Sequence, residues 1–386
     1  MKPRLRIAIL AHSTNPRGSV VHALELGDAL CRLGHDVTVH APDASGAGFF
    51  RLTRCATVSV AASPVGRNVT AMVETRVADY VRHFEAAVRC NFDVWHAQDG
   101  ISGNALATLK ERGLINGFAR TVHHLDTFAD PRLSALQARA IASADRLFAV
   151  SRLWRDRLAH GSGRVPDLVG NGVDTRRFSP AADANDAALR LLLHLPAGVC
   201  LFLAIGGIEK RKNTIAILQA FRIVHAKHPA SCLLIAGGAS LLDHDAYQAQ
   251  FGAALAASGL PDGVVISTGP LPHALMPALY RAAKALVFAS IEEGFGLVAL
   301  EAMASGVPVI ASRIAPFTEY LGEGDVLWCD PEEPRSIAAA MTSALETSVG
   351  DALIARGFAV AARRDWTTVA HAHIPAYEAL SEIAHA

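Results

Sequence analysis

Short runs of consecutive apolar residues alternate along this chain with segments in which apolar residues recur at helical spacing. In the first half, the apolar runs predict five strands, at residues 6–11, 36–40, 93–96, 120–123 and 146–150. Between the first two, Val20, Leu24 and Leu30 share one helix face, and Gly34 follows where such a helix would end. Strand, helix and strand in this order predict a right-handed parallel βαβ unit.

The second half repeats this pattern. Its apolar runs predict six more strands, at residues 200–205, 232–236, 264–267, 285–289, 307–311 and 326–329. Strands that are apolar throughout are typical of parallel sheets covered on both faces. Turn-forming residues cluster between 170 and 180, and residues 181–193 have the pattern of the first helix of a new domain. We therefore expect an α/β fold with two doubly wound Rossmann-like domains facing a central cleft, the usual place for a ligand.

Composition narrows the functional classes. The chain has 386 residues, with 36 Lys and Arg against 36 Asp and Glu, so its formal net charge is zero. A balanced charge argues against nucleic acid as the partner, because nucleic-acid binders carry a basic surface. Hydrophobic residues make up 51% of the chain and charged residues 19%, which excludes a disordered protein.

The cysteines and the apolar runs bear on location. None of the six cysteines, which include Cys90, forms a CxxC pair, and most lie in apolar surroundings. This usage is typical of buried free thiols in a reducing compartment, so a cytoplasmic location is expected. The apolar run at residues 7–11 is too short for a signal peptide, and no run of about 18 apolar residues predicts a transmembrane segment. Peripheral membrane contact stays open.

The segment at residues 290–309 carries the strongest chemical signal. It follows a predicted strand, turns on Gly294 and Gly296, and then opens a helix. The amides near Phe295, Gly296 and Leu297 would have no acceptor inside that helix, and its dipole favours an anion such as a phosphate. The two glycines allow a ligand to approach the backbone closely.

Two carboxylates flank this turn. Glu293 precedes it, and Glu301 lies a little over one turn inside the helix. One carboxylate could reach each end of a phosphorylated ligand, since carboxylates accept hydrogen bonds from the paired hydroxyls of a sugar or ribose. The alternative is an ordinary helix start with an acidic first turn and a solvated Glu301.

With its surrounding residues, the pair resembles the E-x7-E motif of retaining glycosyltransferases of family 4, which have the GT-B fold. Four further segments resemble that family. They are Asn171-Gly172-Val173-Asp174 with Phe178, the strand end Thr121-Val122-His123, the phosphate loop at residues 205–213, and the terminal helix at residues 366–380.

The resemblance implies that different parts of the chain bind the acceptor and the donor. Residues 1–170 would form the acceptor-side domain, with residues 365–386 crossing back onto it, and residues 171–364 would bind the donor. The donor would be a nucleoside-diphosphate sugar, and the acceptor a small molecule, a lipid or a glycan. Transfer would retain the anomeric configuration and need no metal and no cofactor.

The resemblance also assigns residues. Glu293 would contact the transferred sugar and Glu301 the donor ribose, while the amides of Gly294, Phe295, Gly296 and Leu297 would hold the diphosphate. Gly18 would lie against the donor, and His123 would touch the donor sugar or the acceptor and act in catalysis.

Two loops depart from the family pattern. In the phosphate loop, Gly207 stands where the family usually has an arginine, while Lys212 matches its lysine; Arg211 is our candidate for the missing cation. The alternative is a solvated basic turn. In the first loop Gly18 is kept but Ser19 replaces a second glycine, and Ser19 could instead cap the following helix.

Other patterns are weaker. His123, His124 and Asp126 suggest a metal site, but neighbouring strand residues point to opposite faces, and a hydrogen-bonded structural His123 is an alternative. Asp243-His244-Asp245 matches a three-residue metal motif that is common by coincidence, and Asp245 should begin a helix. We predict no site at His371 and His373, because residues two apart do not share a helix face.

Three alternative functions stay open. A non-catalytic sugar-nucleotide-binding protein is favoured by Gly207. A sugar-nucleotide epimerase or a phosphorylase could share the architecture, although the latter needs a pyridoxal phosphate lysine for which we find no signal. An assembly or scaffold role is the third, and it would leave the pair of Glu293 and Glu301 unexplained. The absence of a GxGxxG after the first strand, and of a GxSxG, argues against a nicotinamide enzyme and a serine hydrolase.

Overall fold

A computed structural model describes residues 4–85, 91–196, 198–238 and 244–385. The chain divides into two compact units. Unit 1 comprises Met1–Asn171 with Trp366–Ala386, and unit 2 comprises Gly172–Asp365. Each unit contains its own parallel sheet with helices packed on it. Cys90 and Asp243, which entered the predictions above, lie outside the described residues.

Unit 1 is built on a seven-stranded sheet. Strands β1 to β7 span Arg6–Leu10, Asp36–Asp43, Ala56–Ala61, Val94–Ala97, Ala119–Val122, Arg146–Ala149 and Asp167–Leu168. Their order across the sheet is β3-β2-β1-β4-β5-β6-β7, and every neighbouring pair is parallel. The chain thus winds outward from β1 in one direction and from β4 in the other, so the carboxyl ends of these two strands flank the switch point where such sheets bind ligands.

The helices of unit 1 begin and end at residues that suit those positions. Helices α1 to α5 span Gly18–Arg32, Val69–Phe84, Gly100–Glu111, Pro131–Ala142 and Arg152–Ser162. The predicted end of α1 is confirmed, because Gly34 follows it with φ of 93°. Ser19 lies inside the first turn of α1 and does not cap it. Asp99 caps α3 by accepting from the Ser102 amide.

Unit 2 repeats the arrangement with six strands. Strands β8 to β13 span Cys200–Ile205, Ser231–Ala236, Val265–Gly269, Ala285–Phe288, Val309–Ser312 and Leu327–Cys329, in the order β10-β9-β8-β11-β12-β13. Helices α6 to α13 span Ala184–Leu192, Thr214–His225, Asp245–Ala256, Met276–Ala282, Leu297–Ala304, Phe317–Tyr320, Pro334–Ser343 and Thr347–Ala362. The last helix, α14, spans Trp366–His385 and belongs to unit 1.

The predicted fold class is confirmed, since both units are doubly wound parallel sheets. All eleven strands predicted from apolar runs are present, with ends that shift by a few residues. β3 and β7 were not predicted. β3 is an edge strand in which only Val60 is fully buried, and β7 has two exposed residues, so neither gives an apolar run.

Each unit has its own apolar core between sheet and helices. In unit 1, Phe84, Trp95 and Phe118 are among the buried side chains, and in unit 2, Phe202 and Phe221 are. α14 contacts α1, β4 and β5, and it buries Trp366 and Tyr377 there. Within the described residues, no helix is both long and apolar enough to cross a membrane.

Candidate functional site

The loop after β11 makes a sharp turn into α10. Its last residue, Gly296, has φ of 101°, a conformation that residues with side chains rarely adopt. A Cβ there would lie 2.6 Å from the Phe317 ring and 2.9 Å from the Phe288 ring, so only glycine fits. Because α10 begins at Leu297, its first amides have no acceptor within the helix, and the positive end of its dipole lies at this turn.

Glu293 lies in this loop and is only 6% exposed. Lys212 Nζ lies 2.5 Å from its Oε1, and Arg211 Nη1 lies 3.0 Å from its Oε2. Each carboxylate oxygen therefore has its own cation. The Lys212 stem packs so closely on Gly206 that a Cβ at 206 would lie 2.4 Å from Lys212 Cε. The Lys212 stem thus lies directly over Gly206, and with only 12% of its side chain exposed the alternative of a solvated basic turn does not apply to it.

The two cations come from a short 3-10 turn, Lys210–Lys212, which follows the loop after β8. Backbone contacts join this turn to the loop that carries Glu293. The Ile291 amide donates to the Arg211 carbonyl over 2.9 Å, and Arg211 Nη1 donates to the Glu292 carbonyl over 3.3 Å. Arg211 keeps 38% of its side chain exposed, whereas Lys212 keeps 12%. A ligand could therefore reach Arg211 from solvent.

Burial and charge oppose each other at this cluster. Burial would raise the pKa of Glu293, but Lys212 and Arg211 outweigh it, so the pKa falls below its usual value. Burial lowers the pKa of Lys212, and the nearby Glu293 opposes that fall. Arg211 also lies 3.8 Å from Glu209. The two cations and two carboxylates balance in formal charge, so the resting cluster is internally compensated.

Glu301 lies on α10 and is half-buried rather than solvated. Its Oε2 accepts a hydrogen bond of 2.6 Å from the hydroxyl of Tyr280, which lies on α9. Burial raises the pKa of Glu301, while the hydrogen bond from Tyr280 and the charge of Arg177 oppose the rise. Sequence reasoning missed Tyr280, because it reads as one more apolar position of a helix.

Phe295 contributes its backbone to the site and its side chain to the core. The ring is 5% exposed and stacks on Tyr320 at 4.7 Å between centroids. The Tyr320 hydroxyl donates to the Phe295 carbonyl over 3.2 Å, and the Arg364 guanidinium lies 5.0 Å from the Tyr320 ring centre. These contacts fix the course of the chain just before α10, next to Gly294 and Gly296.

The other two predicted site residues, Gly18 and His123, belong to unit 1. Gly18 begins α1, and a Cβ there would meet nothing within 4 Å, so this part of the backbone is open to a ligand. His123 follows β5, and its Nε2 lies 3.0 Å from Gln98 Oε1. Because an amide oxygen only accepts, Nε2 carries the proton. Burial, with a smaller effect of His22, holds the pKa of His123 well below its usual value, so the ring is neutral.

Behind His123 lies a cluster of three fully buried histidines: His22, His96 and His373. The His22 ring lies 4.9 Å from that of His123 and 6.1 Å from that of His373. His96 bonds to the Tyr377 hydroxyl over 2.6 Å and to Thr121 Oγ1 over 2.8 Å. The burial of His373 and this histidine cluster were not predicted from the sequence.

One of the two possible metal sites, at the end of β5, can be examined, because the other includes Asp243, which lies outside the described residues. His124 Nε2 lies 3.4 Å from Asp126 Oδ1 on the surface, while His123 packs inward on His22. Across the described ranges, no group of three His, Cys, Asp or Glu side chains could hold a metal ion. Asp245 begins α8 as predicted.

Two doubly wound parallel sheets, and a buried glutamate at a glycine turn before a helix, are the features expected of a GT-B glycosyltransferase. Comparison with known families agrees. Residues 16–177 match the family described as Glycosyltransferase Family 4, and residues 194–356 match the Glycosyl transferases group 1. The chain therefore belongs to the GT-B glycosyltransferases.

Several curated relatives are similar to this chain. A D-inositol 3-phosphate glycosyltransferase of Acidothermus cellulolyticus is 29% identical over 75% of this chain and 68% of the relative. The O-antigen chain mannosyltransferase B of Escherichia coli is 32% identical over 46% of this chain and 45% of the relative. A GDP-mannose:cellobiosyl-diphosphopolyprenol alpha-mannosyltransferase of Komagataeibacter xylinus is 31% identical over 54% of this chain and 50% of the relative. The last two are thus matched over about half their length.

Solved structures share the fold. A sucrose-phosphate synthase from Thermosynechococcus elongatus aligns with a TM-score of 0.80 and 23% identity, over 98% of this chain and 99% of that one. HepE of Anabaena, solved in complex with UDP-glucose, aligns with a TM-score of 0.79 and 19% identity, over 97% of this chain and 100% of that one. At these identities the likeness concerns the fold alone.

Proposed function

We propose that this chain transfers a sugar from a nucleoside-diphosphate sugar to a hydroxyl group of an acceptor, with retention of anomeric configuration. The observation that carries the proposal is the buried Glu293, held between Lys212 and Arg211 at the turn that begins α10. The named donors support it from outside the chain, since one relative is described as using GDP-mannose and HepE was solved with UDP-glucose.

Each part of the cluster has a role in this proposal. Arg211, Lys212 and the first amides of α10 bind the diphosphate and stabilise the charge that develops as it leaves. Glu301 accepts hydrogen bonds from the donor ribose, and Glu293 contacts the transferred sugar. Gly18 leaves room for the donor, and His123, neutral and held by Gln98, contacts the sugar or the acceptor.

In the proposed reaction, no covalent bond forms between the enzyme and the sugar. The bond between the anomeric carbon and the phosphate oxygen breaks, and a bond from the acceptor oxygen forms on the same face. The acceptor's proton passes to the departing phosphate oxygen. We further propose that no metal and no cofactor is required, because fixed cations at the diphosphate supply the charge that a metal would supply.

We also propose that the protein is located in the cytoplasm. This location is supported by five free thiols, at Cys31, Cys55, Cys200, Cys232 and Cys329. Burial raises the pKa of Cys329 to about 12, so this thiol is inert rather than reactive. Fractionation of the producing cells, with the protein found in an oxidising compartment, would contradict it.

Calorimetric titration with UDP, GDP and ADP, and with their hexose derivatives, tests the donor site in buffer containing EDTA. We expect one nucleotide class to bind without metal. Lys212→Met should weaken that binding by about 1.5–3 kcal/mol, the value of a hydrogen bond to a charged group. Glu332→Gln, an exposed carboxylate of the same unit, serves as the control and should bind as wild type. If no nucleotide binds, the proposal is wrong.

Transfer itself needs a second measurement, because binding alone fits the non-catalytic alternative. That alternative is favoured by Gly207, which stands where the family usually has an arginine. Its φ is 76° and a Cβ would lie 3.0 Å from the Gly237 carbonyl oxygen, so a side chain at this position would be strained. We expect sugar release from the bound donor, and a fall in its rate of about a hundredfold in Glu293→Gln. A donor that binds and is never turned over with any acceptor tested would favour the binding protein.

A further inference from the structure

Tyr280 makes a hydrogen bond to Glu301 that packing of its ring alone does not require. Its side chain is fully buried on α9, and its hydroxyl donates to Glu301 Oε2 over 2.6 Å. A buried tyrosine hydroxyl normally has a partner, and a carboxylate makes that hydrogen bond a strong one. The bond joins two helices, so it restricts the rotamers of Glu301 from outside α10.

The hydrogen bond from Tyr280 also makes the two carboxylate oxygens of Glu301 different, because only one of them accepts it. Tyr280 occupies Oε2, and no other described residue donates to Oε1, so Oε1 is the oxygen left for a ligand. A neighbouring cation, Arg177, is fixed in place by a hydrogen bond of 2.8 Å to the His273 carbonyl. Burial raises the pKa of Glu301, while both Tyr280 and Arg177 favour its ionised form.

We propose that Tyr280 is a positioning residue that aims Glu301 Oε1 at the ribose hydroxyls of the donor and so sets the preference for ribose over deoxyribose. This inference rests on the donor site proposed above. Tyr280 acts through Glu301 and touches no substrate, so its loss should affect donor binding rather than the chemical step. A Tyr280 variant should therefore differ from a Glu293 variant, in which the rate of transfer is expected to fall.

The test compares UDP, GDP and ADP with their 2′-deoxy counterparts in equilibrium titrations of the full chain. In wild type the ribonucleotide should bind about tenfold more tightly than the deoxynucleotide, the loss expected when one hydrogen bond to a charged group is removed. In Tyr280→Phe this ratio should fall to about two. With the matching sugar nucleotide, KM should rise about fivefold, in line with this loss of ribose preference, while kcat stays within about threefold.

Two further variants separate positioning from packing. In a Glu301→Ala background, Tyr280→Phe should cause no further loss of ribose preference, because the carboxylate that Tyr280 would position is already absent. Phe178→Leu is the packing control, since the Phe178 ring lies 5.8 Å from that of Tyr280. It should lower the melting temperature and leave the ratio between ribo- and deoxynucleotide unchanged.

The outcomes are distinguishable. If none of the three nucleotides binds, the donor site fails and the inference fails with it. If one binds and Glu301→Ala loses the ribose preference while Tyr280→Phe keeps it, the donor site stands and Tyr280 has only a packing role. If the two single variants have additive effects, Tyr280 does not act through Glu301 and the inference is wrong.

Discussion

Acidification from pH 7 to pH 5 is expected to destabilise unit 1 through its buried histidines. Burial lowers the pKa of His22 to about 4 and that of His373 to about 3, from 6.5. Within the described residues, Nε2 of both rings has no hydrogen-bond partner, so an added proton would be uncompensated. The unfolded chain therefore binds more protons than the folded chain between these values, and stability falls as the pH falls.

The magnitude follows from the two pKa values of each residue. A histidine with a pKa of 6.5 unfolded and about 4 folded loses about 2 kcal/mol of stabilisation between pH 7 and pH 5. His373 contributes about the same. A sum of about 4 kcal/mol is a large share of the 5–15 kcal/mol typical of a folded domain.

The variant His373→Phe isolates one of these contributions. Phenylalanine suits the apolar side of this site, because the Phe148 ring lies 4.5 Å away. The variant loses the hydrogen bond of 2.8 Å from Nδ1 to the Val369 carbonyl, a cost that does not depend on pH. His160→Phe is a matched control, since His160 makes the same contact to the Asp156 carbonyl, four residues earlier, but on an exposed helix face.

Urea unfolding followed at several pH values between 7.5 and 4.5 is the assay. Between pH 6 and 4.5, the slope of the unfolding free energy against pH should be smaller in His373→Phe than in wild type by about 1.4 kcal/mol per pH unit, the value of one proton. His160→Phe should keep the wild-type slope. The reasoning is refuted if His373→Phe also keeps it.

Three further predictions concern stability at neutral pH. Gly296→Ala should lower the melting temperature and abolish nucleotide binding, because its Cβ would overlap the Phe317 ring at a cost of more than about 2 kcal/mol. Gly18→Ala is the control, since a Cβ there lies in open space, and it should not change the melting temperature. Asn213→Gly keeps the positive φ but loses hydrogen bonds to the Ala289 and Pro331 carbonyls, so urea unfolding should show a loss of about 2 kcal/mol. Asp79→Asn should cost about 3 kcal/mol, since the buried Asp79 carboxylate bonds to two arginines, and a wild-type urea midpoint would contradict this.

The sequence predicts most of this fold because parallel strands buried on both faces are apolar throughout. β8, with five consecutive residues from Leu201 to Ile205 that are apolar, leaves a clear signal. β3 does not, because one of its faces is exposed and only Val60 is fully buried. The two residues of β7 are recognised as a strand only by their pairing with β6, and that pairing is a property of the folded sheet.

The candidate site likewise has residues that the sequence indicates and residues that only the folded structure brings together. Glu293, the glycines and Lys212 lie in two short loops whose residue types indicate their chemistry. Tyr280 could not be assigned to Glu301 from spacing, because the two residues lie on different helices, separated in sequence by β11, that meet only in the folded chain. His96 and Tyr377 are 281 residues apart in sequence, so only the folded chain brings them together.

The position of α14 in the chain also has a consequence for synthesis. Unit 1 is discontinuous, and a ribosome makes all of Gly172–Asp365 before it makes the helix that carries His373 and Tyr377. At about 5–20 residues per second, this delay is roughly 10–40 s. During it, the surface of α1 and β4 that α14 later covers, including His22 and His96, is exposed to chaperones and proteases. The unit whose translation begins first is therefore the last to be completed.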